Sequence, residues 1–392
     1  MGRRTGMEPI TAYLNGIGET DSVQPQTEPE PSPDGMVEAY TLPLIQDGVA
    51  AYMANVRTQV QLVQVGPHLI PMTYNDKEYL NSYVCSPYST YVSYAYEELV
   101  LFRSRALRAV LAGVIGTIAP LLKAGRINRN IHLNNWLLST NLYEEMDRED
   151  LRLATGRLVT EYPGHAIVFR SLNERTNSGL MEILKSLGYR FVPSRQVYFF
   201  DGRNPQYLEK QNNRWDATLL KKSGYTVLEH EDLTESDYKR IVDLYEQLYI
   251  QKYSALNPQF TEAYISNCHR NGLMYMQGLK DADGVLQGVV GCFIRGDVMT
   301  VPLVGYDTSL PQKLGLYRML MSLVLNRAAQ QRQLLHLSSG AAHFKRLRGG
   351  EPFIEYSAVY IRHLPAGRRM MWSVLGGILN RIGVPVMRKY QL

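Results

Sequence analysis

The chain has 392 residues, 45% of them apolar and 20% charged, with 42 Lys and Arg against 37 Asp and Glu. This composition excludes a mainly disordered, collagen-like or coiled-coil protein, and the length allows two or three domains. An excess of five positive charges over such a length is too thin to mark a nucleic-acid or membrane protein.

Three cysteines, Cys85, Cys268 and Cys292, stand far apart without a CxxC pair, which points to a reducing, cytoplasmic setting. The longest mainly apolar run, Ala109 to Leu122, has 14 residues, short of the roughly 20 a membrane span needs. Met1 to Thr5 leads into polar sequence rather than an apolar leader, and Gly6 stands at the sixth position, where a myristoylation signal wants Ser or Thr. Residues 1–37 read as a disordered tail rich in Glu, Asp, Pro, Gln, Ser and Thr, and globular sequence begins near Val37. Tyr83 to Tyr88 and the tyrosines up to Tyr96 are expected to line a cleft between domains. Val100 to Leu122 mixes Arg103, Arg105 and Arg108 with apolar residues. A buried helix is the commoner outcome there, an acyl groove or membrane-facing helix the alternative.

Next come a strand over Ile131–Trp136, a helix over Arg148–Thr160 and a strand over His165–Ser171. A helix over Ser178–Leu187, ended by Gly188, and a strand over Tyr189–Phe200 follow. Turn formers between Asp201 and Gly224 place a boundary there, giving domains of 38–205 and 206–365. In the second domain Tyr225–His230 reads as a strand, and Thr234 caps a helix to Tyr249. Leu273–Leu279, Val285–Ile294 and Val298–Val304 form an antiparallel meander. A long helix over Gln312–Arg332 leads to a short strand, Leu334–Leu337. A helix over Ala341–Leu347 and a strand over Phe353–Arg362 complete the domain. The last part of this order repeats that of the first domain. Residues 366–392 hold a basic amphipathic helix, with Trp372, Leu375, Ile378, Leu379 and Ile382 at helical spacing. Docking against the N-terminal domain is favoured for it, peripheral contact with an anionic membrane through 368–389 the alternative.

The crossover from Val304 through a helix to Leu334 implies two parallel neighbours. At the helix start stands Gln312-Lys313-Leu314-Gly315-Leu316-Tyr317. A helix N-terminus offers unpaired amides to a phosphate, Gly315 removes a Cβ from its path, and Lys313 adds a charge. Pro302 cannot donate to the ladder, so a bulge or a splay is expected beside it.

These residues carry a resemblance. Tyr225 to Arg362 looks like the GNAT acyltransferase fold, and Gln312 to Tyr317 resembles its acyl-CoA loop, Gln/Arg-x-x-Gly-x-Gly/Ala. Phe344-Lys345-Arg346-Leu347-Arg348-Gly349-Gly350 is similar to the Phe-Lys-x-x-Phe-Gly-Gly pattern of the tandem FemAB-like branch. The resemblance implies an α+β fold of two tandem GNAT-like domains, each a mostly antiparallel mixed sheet flanked by helices. A splayed parallel pair would lie in the C-terminal domain, and the N-terminal domain would be degenerate, without a donor loop of its own. Tyr317 departs from the small residue that usually ends the loop, and its ring would crowd a pyrophosphate unless the loop is displaced.

The implied reaction is direct attack by an amine of a small-molecule acceptor on an acyl thioester. Acyl-CoA, or the phosphopantetheine of an acyl carrier protein, is the donor substrate, and no metal takes part. Donor-site residues are Gln312, Lys313, Leu314, Gly315, Leu316, Tyr317 and Lys345, with an oxyanion-binding amide near Leu303 or Val304. Asp307, His336 and His343 are candidate bases, and Ser339 is a candidate hydrogen-bond donor to acceptor or thiolate. Each has a plainer reading: Asp307 as a turn cap, His336 as a core histidine, Tyr306 and Tyr317 as pocket wall. Cys268-His269 lacks a third partner at metal spacing. An aminoacyl-tRNA-dependent FemAB-type transferase and a non-catalytic GNAT-like binding module are the rival readings. The modest basic excess disfavours tRNA, and DNA is not expected.

Overall fold

The computed structural model describes residues 33–390, so most of the tail expected over 1–37 lies outside the described residues. Residues 33–37, assigned by composition to that tail, instead open α1 (Pro33–Gln46). Pro33 suits the first helical position and Asp34 the positive end of the dipole, while Val37, Tyr40 and Leu44 are buried.

The N-terminal half continues with α2 (Val49–Tyr52), β1 (Gln59–Val65), β2 (His68–Asn75), α3 (Tyr94–Glu98), α4 (Arg105–Ala124) and β3 (Asn130–Leu133). It ends with α5 (Arg148–Glu161), β4 (Ala166–Leu172), α6 (Glu174–Leu187) and β5 (Arg190–Asp201). The C-terminal half begins with α7 (Gln211–Lys222), β6 (Thr226–Leu228), α8 (Glu235–Tyr245), α9 (Glu262–Arg270), β7 (Tyr275–Lys280), β8 (Leu286–Arg295) and β9 (Val298–Tyr306). There follow α10 (Leu316–Gln330), β10 (Leu334–His336), α11 (Ala342–Leu347), β11 (Glu351–Tyr360), α12 (Ala366–Ile378) and α13 (Val384–Tyr390).

Local signals account for many of these ends. Asn173 accepts from the amides of Arg175 and Thr176 to start α6, and Gly188 at φ 96° stops it. Thr234 and Asp237 form the reciprocal cap of α8.

The eleven strands among the described residues form one mixed sheet in the order β1-β2-β3-β4-β11-β5-β10-β9-β8-β7-β6. The fold is α+β, as expected, but the halves do not keep separate sheets. The last strand of each half is exchanged: β5 pairs with β10, and β11 lies between β4 and β5. Each half contains one parallel pair joined by a helix, β3 with β4 and β9 with β10. The helical order α5, α6 of the first half recurs as α10, α11 in the second, which is the tandem repeat.

Helices cover both faces. α5 and α6 bury Leu151, Leu158, Leu180 and Leu184 against β1–β4. α10 buries Met319, Leu320 and Val324 against β8–β10. A third cluster spans the halves, bringing Tyr40 and Trp136 together with Tyr264 and Phe293. There the Tyr40 hydroxyl donates to the Trp136 carbonyl at 2.5 Å, and the Tyr40 and Trp136 rings meet edge to face.

Candidate functional site

β9 and β10 pair only at their beginnings, Val298–Thr300 beside Leu334–His336. β9 then runs on to Tyr306 without its parallel neighbour, so the two strands part where Pro302 stands. On its other side β9 bulges: Leu303 faces Gly291 and Thr300 faces Phe293, leaving Val301 and Pro302 against one residue of β8.

The ladder also fixes which amides face the gap. The Asp307 amide donates to the Gln287 carbonyl at 3.0 Å, and alternate residues of an antiparallel strand turn the same way. Gly305 and Leu303 therefore face β8, whereas Val304 directs its N–H into the gap. Of the two residues named for an oxyanion donor, Val304 is the one whose amide lies on the gap side of β9. The Leu303 side chain is buried in the core shared by the halves.

Beside the gap lies a cleft of about 90 Å³. Val304, Tyr317, Lys345 and the Leu337–Ala341 loop form one wall; Tyr83, Tyr94, Ser139 and Arg195 of the N-terminal half form the other. Tyr83 and Tyr94 thus lie where the tyrosine-rich stretch was expected.

Lys345 is buried, and its Nζ donates to the carbonyls of Leu337 at 2.6 Å, Ser338 at 3.2 Å and Ser339 at 2.6 Å. Burial, then the Arg195 charge, pulls its pKa well below the usual lysine value. Arg195, from exchanged β5, donates to Glu355 of exchanged β11 at 2.9 Å, and to the Ser139 carbonyl and the Ser339 hydroxyl. His336 is a core histidine. Its Nδ1 accepts from the Ser338 amide, and burial, with the nearby Arg195 and Lys345, takes its pKa down to about 3.

The start of α10 differs from expectation. Gly315 adopts φ 74°, where glycine is favoured, but a Cβ there would meet Leu219 of α7 at 2.6 Å. The missing Cβ therefore makes room for Leu219, and that side is not open to a diphosphate. Asp216, also on α7, holds Arg318 and Arg348, each at 2.6 Å. The segment where the domain boundary was expected thus holds a helix, α7, that clamps α10. Leu316 is buried, Leu314 half-buried, and Gln312 and Lys313 exposed. Tyr317 packs its ring on Phe344 at 4.9 Å, and burial among Tyr249, Tyr253 and Tyr306 pushes its pKa well up.

Two proposed bases lie apart from the cleft lining. Asp307 pairs with Arg240 at 2.8 Å and accepts from the Ser309 amide. Burial opposes ionisation, but the bonds from Ser309 and Arg240 hold its carboxyl below the usual range. His343 is exposed on α11.

Glu98, which no sequence motif marks, stands half-buried at the end of α3, the helix that carries Tyr94 into the cleft. Burial pushes its carboxyl up to about 7 against the pull of Arg195.

The parallel pair of the N-terminal half leads to a smaller chamber of about 10 Å³, room for one water. Arg170 fills that region, donating to the Val84 carbonyl and the Asn135 side chain. Among the described residues, no group of three His, Cys, Asp or Glu side chains is placed to hold a metal. His269 instead bonds Tyr238 and the His230 carbonyl, and burial pushes the three thiols up to about 12.

Residues 212–346 match the family model described as an acetyltransferase (GNAT) domain. No curated protein matches the chain. Among solved structures, the chain is similar to L-PGS from Bacillus licheniformis, at 15% identity over 58% of this chain and 78% of that one, with a TM-score of 0.43. It is similar to FemX at 10% identity over 54% and 77%, with a TM-score of 0.43. A tandem GNAT protein from the clavulanic acid biosynthesis pathway matches at 12% identity over 60% and 76%, with a TM-score of 0.35.

Proposed function

We propose that the chain is an N-acyltransferase that uses a thioester donor, acyl-CoA or acyl carrier protein, and a small amine acceptor; the match of residues 212–346 to an acetyltransferase (GNAT) domain supports this reading. The reading rests on the parted β9/β10 pair, which leaves the Val304 amide outside the ladder and beside a cleft.

The amine nitrogen attacks the thioester carbonyl, a C–N bond forms, the C–S bond breaks, and the thiolate leaves. The oxyanion of the tetrahedral stage needs a fixed donor, and the Val304 N–H is assigned that part. The Ser339 hydroxyl is within 3.5 Å of Arg195 as an acceptor, which leaves its own proton for the thiolate or acceptor. Lys345 holds the Leu337–Ser339 carbonyls and so fixes where Ser339 points. The amine must lose a proton; Glu98, like Asp307 and His343, is not part of the cleft lining, and it is proposed as the base because it ends the helix that brings Tyr94 into the cleft and burial raises its carboxyl to about 7. Lys313 and the unpaired first amides of α10 are proposed to meet the donor's diphosphate from the side away from Leu219.

One observation favours a second donor. The cleft is smaller than the roughly 300 Å³ at the lower end of small-molecule sites, and Tyr317, packed on Phe344, is part of its wall. An aminoacyl ester on tRNA would present its acyl group without threading a pantetheine arm past Tyr317.

Thermal shift and calorimetry with CoA, short and long acyl-CoAs and tRNA separate the two, alongside thiol release from acetyl-CoA with a panel of primary amines. Stabilisation by CoA with amine-dependent thiol release is expected. Salt-sensitive binding of tRNA with no response to any CoA would transfer the assignment to the second donor. No response to either would leave the chain a binding module and reject the enzyme reading.

A further inference from the structure

Two helical segments are long and apolar enough to cross a membrane by length and composition, Arg105–Ala124 and Ala366–Tyr390, and only 11% and 17% of their apolar windows are buried. They pack side by side. Ile118 and Leu122 of α4 share a cluster with Met371, Trp372 and Leu375 of α12, on Val168, Val192 and Val359 of the sheet. Arg368 adds bonds from α12 to the carbonyls of Gly125, Gly164 and Arg129, and Phe102 meets Tyr390. The inner faces are thus part of the protein core. Withdrawing either helix into a bilayer would strip that core, so neither is placed to span.

The outer faces are a different surface. Nine of the seventeen large apolar side chains exposed among the described residues fall within 96–126 and 366–390, including Val100, Leu101, Val110, Leu121, Met370 and Val374. Residues 100–126 and 366–390 together carry ten Lys and Arg and no Asp or Glu. Taking those ten from the chain's 42 leaves 32 basic residues against 37 acidic ones, so the whole positive excess resides here. Among the described residues, Arg103, Arg105, Arg108, Arg381, Arg388 and Lys389 have no carboxylate partner within ion-pair distance.

We propose that the outward face of α4 and the α12–α13 segment docks on the surface of an anionic phospholipid bilayer. Apolar side chains would enter the headgroup boundary and the arginines and lysines would meet lipid phosphates. Charge chooses this occupant. A protein partner would need a matching acidic, apolar face, whereas an anionic leaflet offers both properties at once. The inference is independent of which reaction the cleft performs.

The test is sedimentation of the full-length protein with phosphatidylcholine vesicles, with and without 30 mol% phosphatidylglycerol, at 0.1 and 0.5 M salt. Binding is expected to the anionic vesicles only, falling at least about tenfold at the higher salt. Arg105→Glu/Arg108→Glu and Val110→Glu/Val374→Glu should each reduce binding by at least about tenfold. All four positions lie on the outer surface, and unchanged melting temperatures would verify folding. Equal binding to neutral vesicles, or none to either, would overturn the proposal. Retention through alkaline carbonate would overturn it in favour of a span, and a dimer in solution that ignores vesicles would assign the face to a second copy.

Discussion

Val304 is the residue on which the chemistry is most exposed to test. Its amide makes no ladder bond with β8, so Val304→Pro removes the proposed oxyanion donor without breaking the sheet. A fall of about 10²–10³ in kcat is expected with a small change in donor KM and melting temperature. An undiminished kcat would reject Val304 as the donor.

Glu98 gives a second test. In the unfolded chain it releases its proton near the ordinary 4.5, but in the folded protein near 7. The folded state therefore binds more protons between those values. This group's contribution to stability is complete below about pH 4.5 and is lost as pH rises through 7. Glu98→Gln should gain in melting temperature over the wild type as pH climbs to 7, and its rate profile should lose the inflection near 7. If that inflection persists in the variant, the base is another group. The sequence named Val304 only as an alternative to Leu303, and did not mark Glu98 at all. Val304 was one of two neighbours until the strand parity was known, and Glu98 belongs to no motif because its burial comes from distant chain.

At the scale of elements, α7 was the largest omission. Gln211-Asn212-Asn213-Arg214 is polar and falls where a domain boundary was expected, yet Asp216 beyond it is buried between Arg318 and Arg348. Removing one partner of a buried charge cluster leaves the others uncompensated. Asp216→Ala should therefore cost about 3–5 kcal/mol and weaken donor binding by loosening the start of α10. A stability loss with unchanged donor affinity would show that α7 supports the fold alone.

The elements that periodicity did place are those with caps and a single buried face. α6 runs from the Asn173 cap to Gly188, and α8 begins at the Thr234 cap. The meander β7–β9 is divided by the turns at Gly284 and Gly296, both at positive φ. The hairpin β1–β2 was missed: the polar–apolar alternation of β1 shifts phase between Leu62 and Val63, and β2 carries Pro71, a residue that argues against a strand.

At the scale of the molecule, the exchanged strands bind the halves into one unit. β5 and β11 pair over nine positions and carry Arg195 and Glu355, whose ion pair lies under the cleft. One cooperative unfolding transition is expected, with calorimetric and van't Hoff enthalpies in agreement; two resolved transitions would show that the halves melt separately.

Local order was written in the chain itself. Caps, glycine stops, the 3.6 and 2.0 periods and the Gln312–Tyr317 and Phe344–Gly350 motifs depend on residues close together, and from them came the meander, the crossover, the tandem repeat and the parted strand pair. What neighbours in sequence cannot encode, packing between distant segments decided. It put Leu219 against Gly315, tied Asp307 to Arg240, buried Glu98 within reach of the Arg195 charge, and left one face of α4 and α12 exposed among the described residues. Each outcome follows from which surfaces meet when two halves exchange their final strands, and a linear pattern records only that a surface is apolar or charged, not what will cover it.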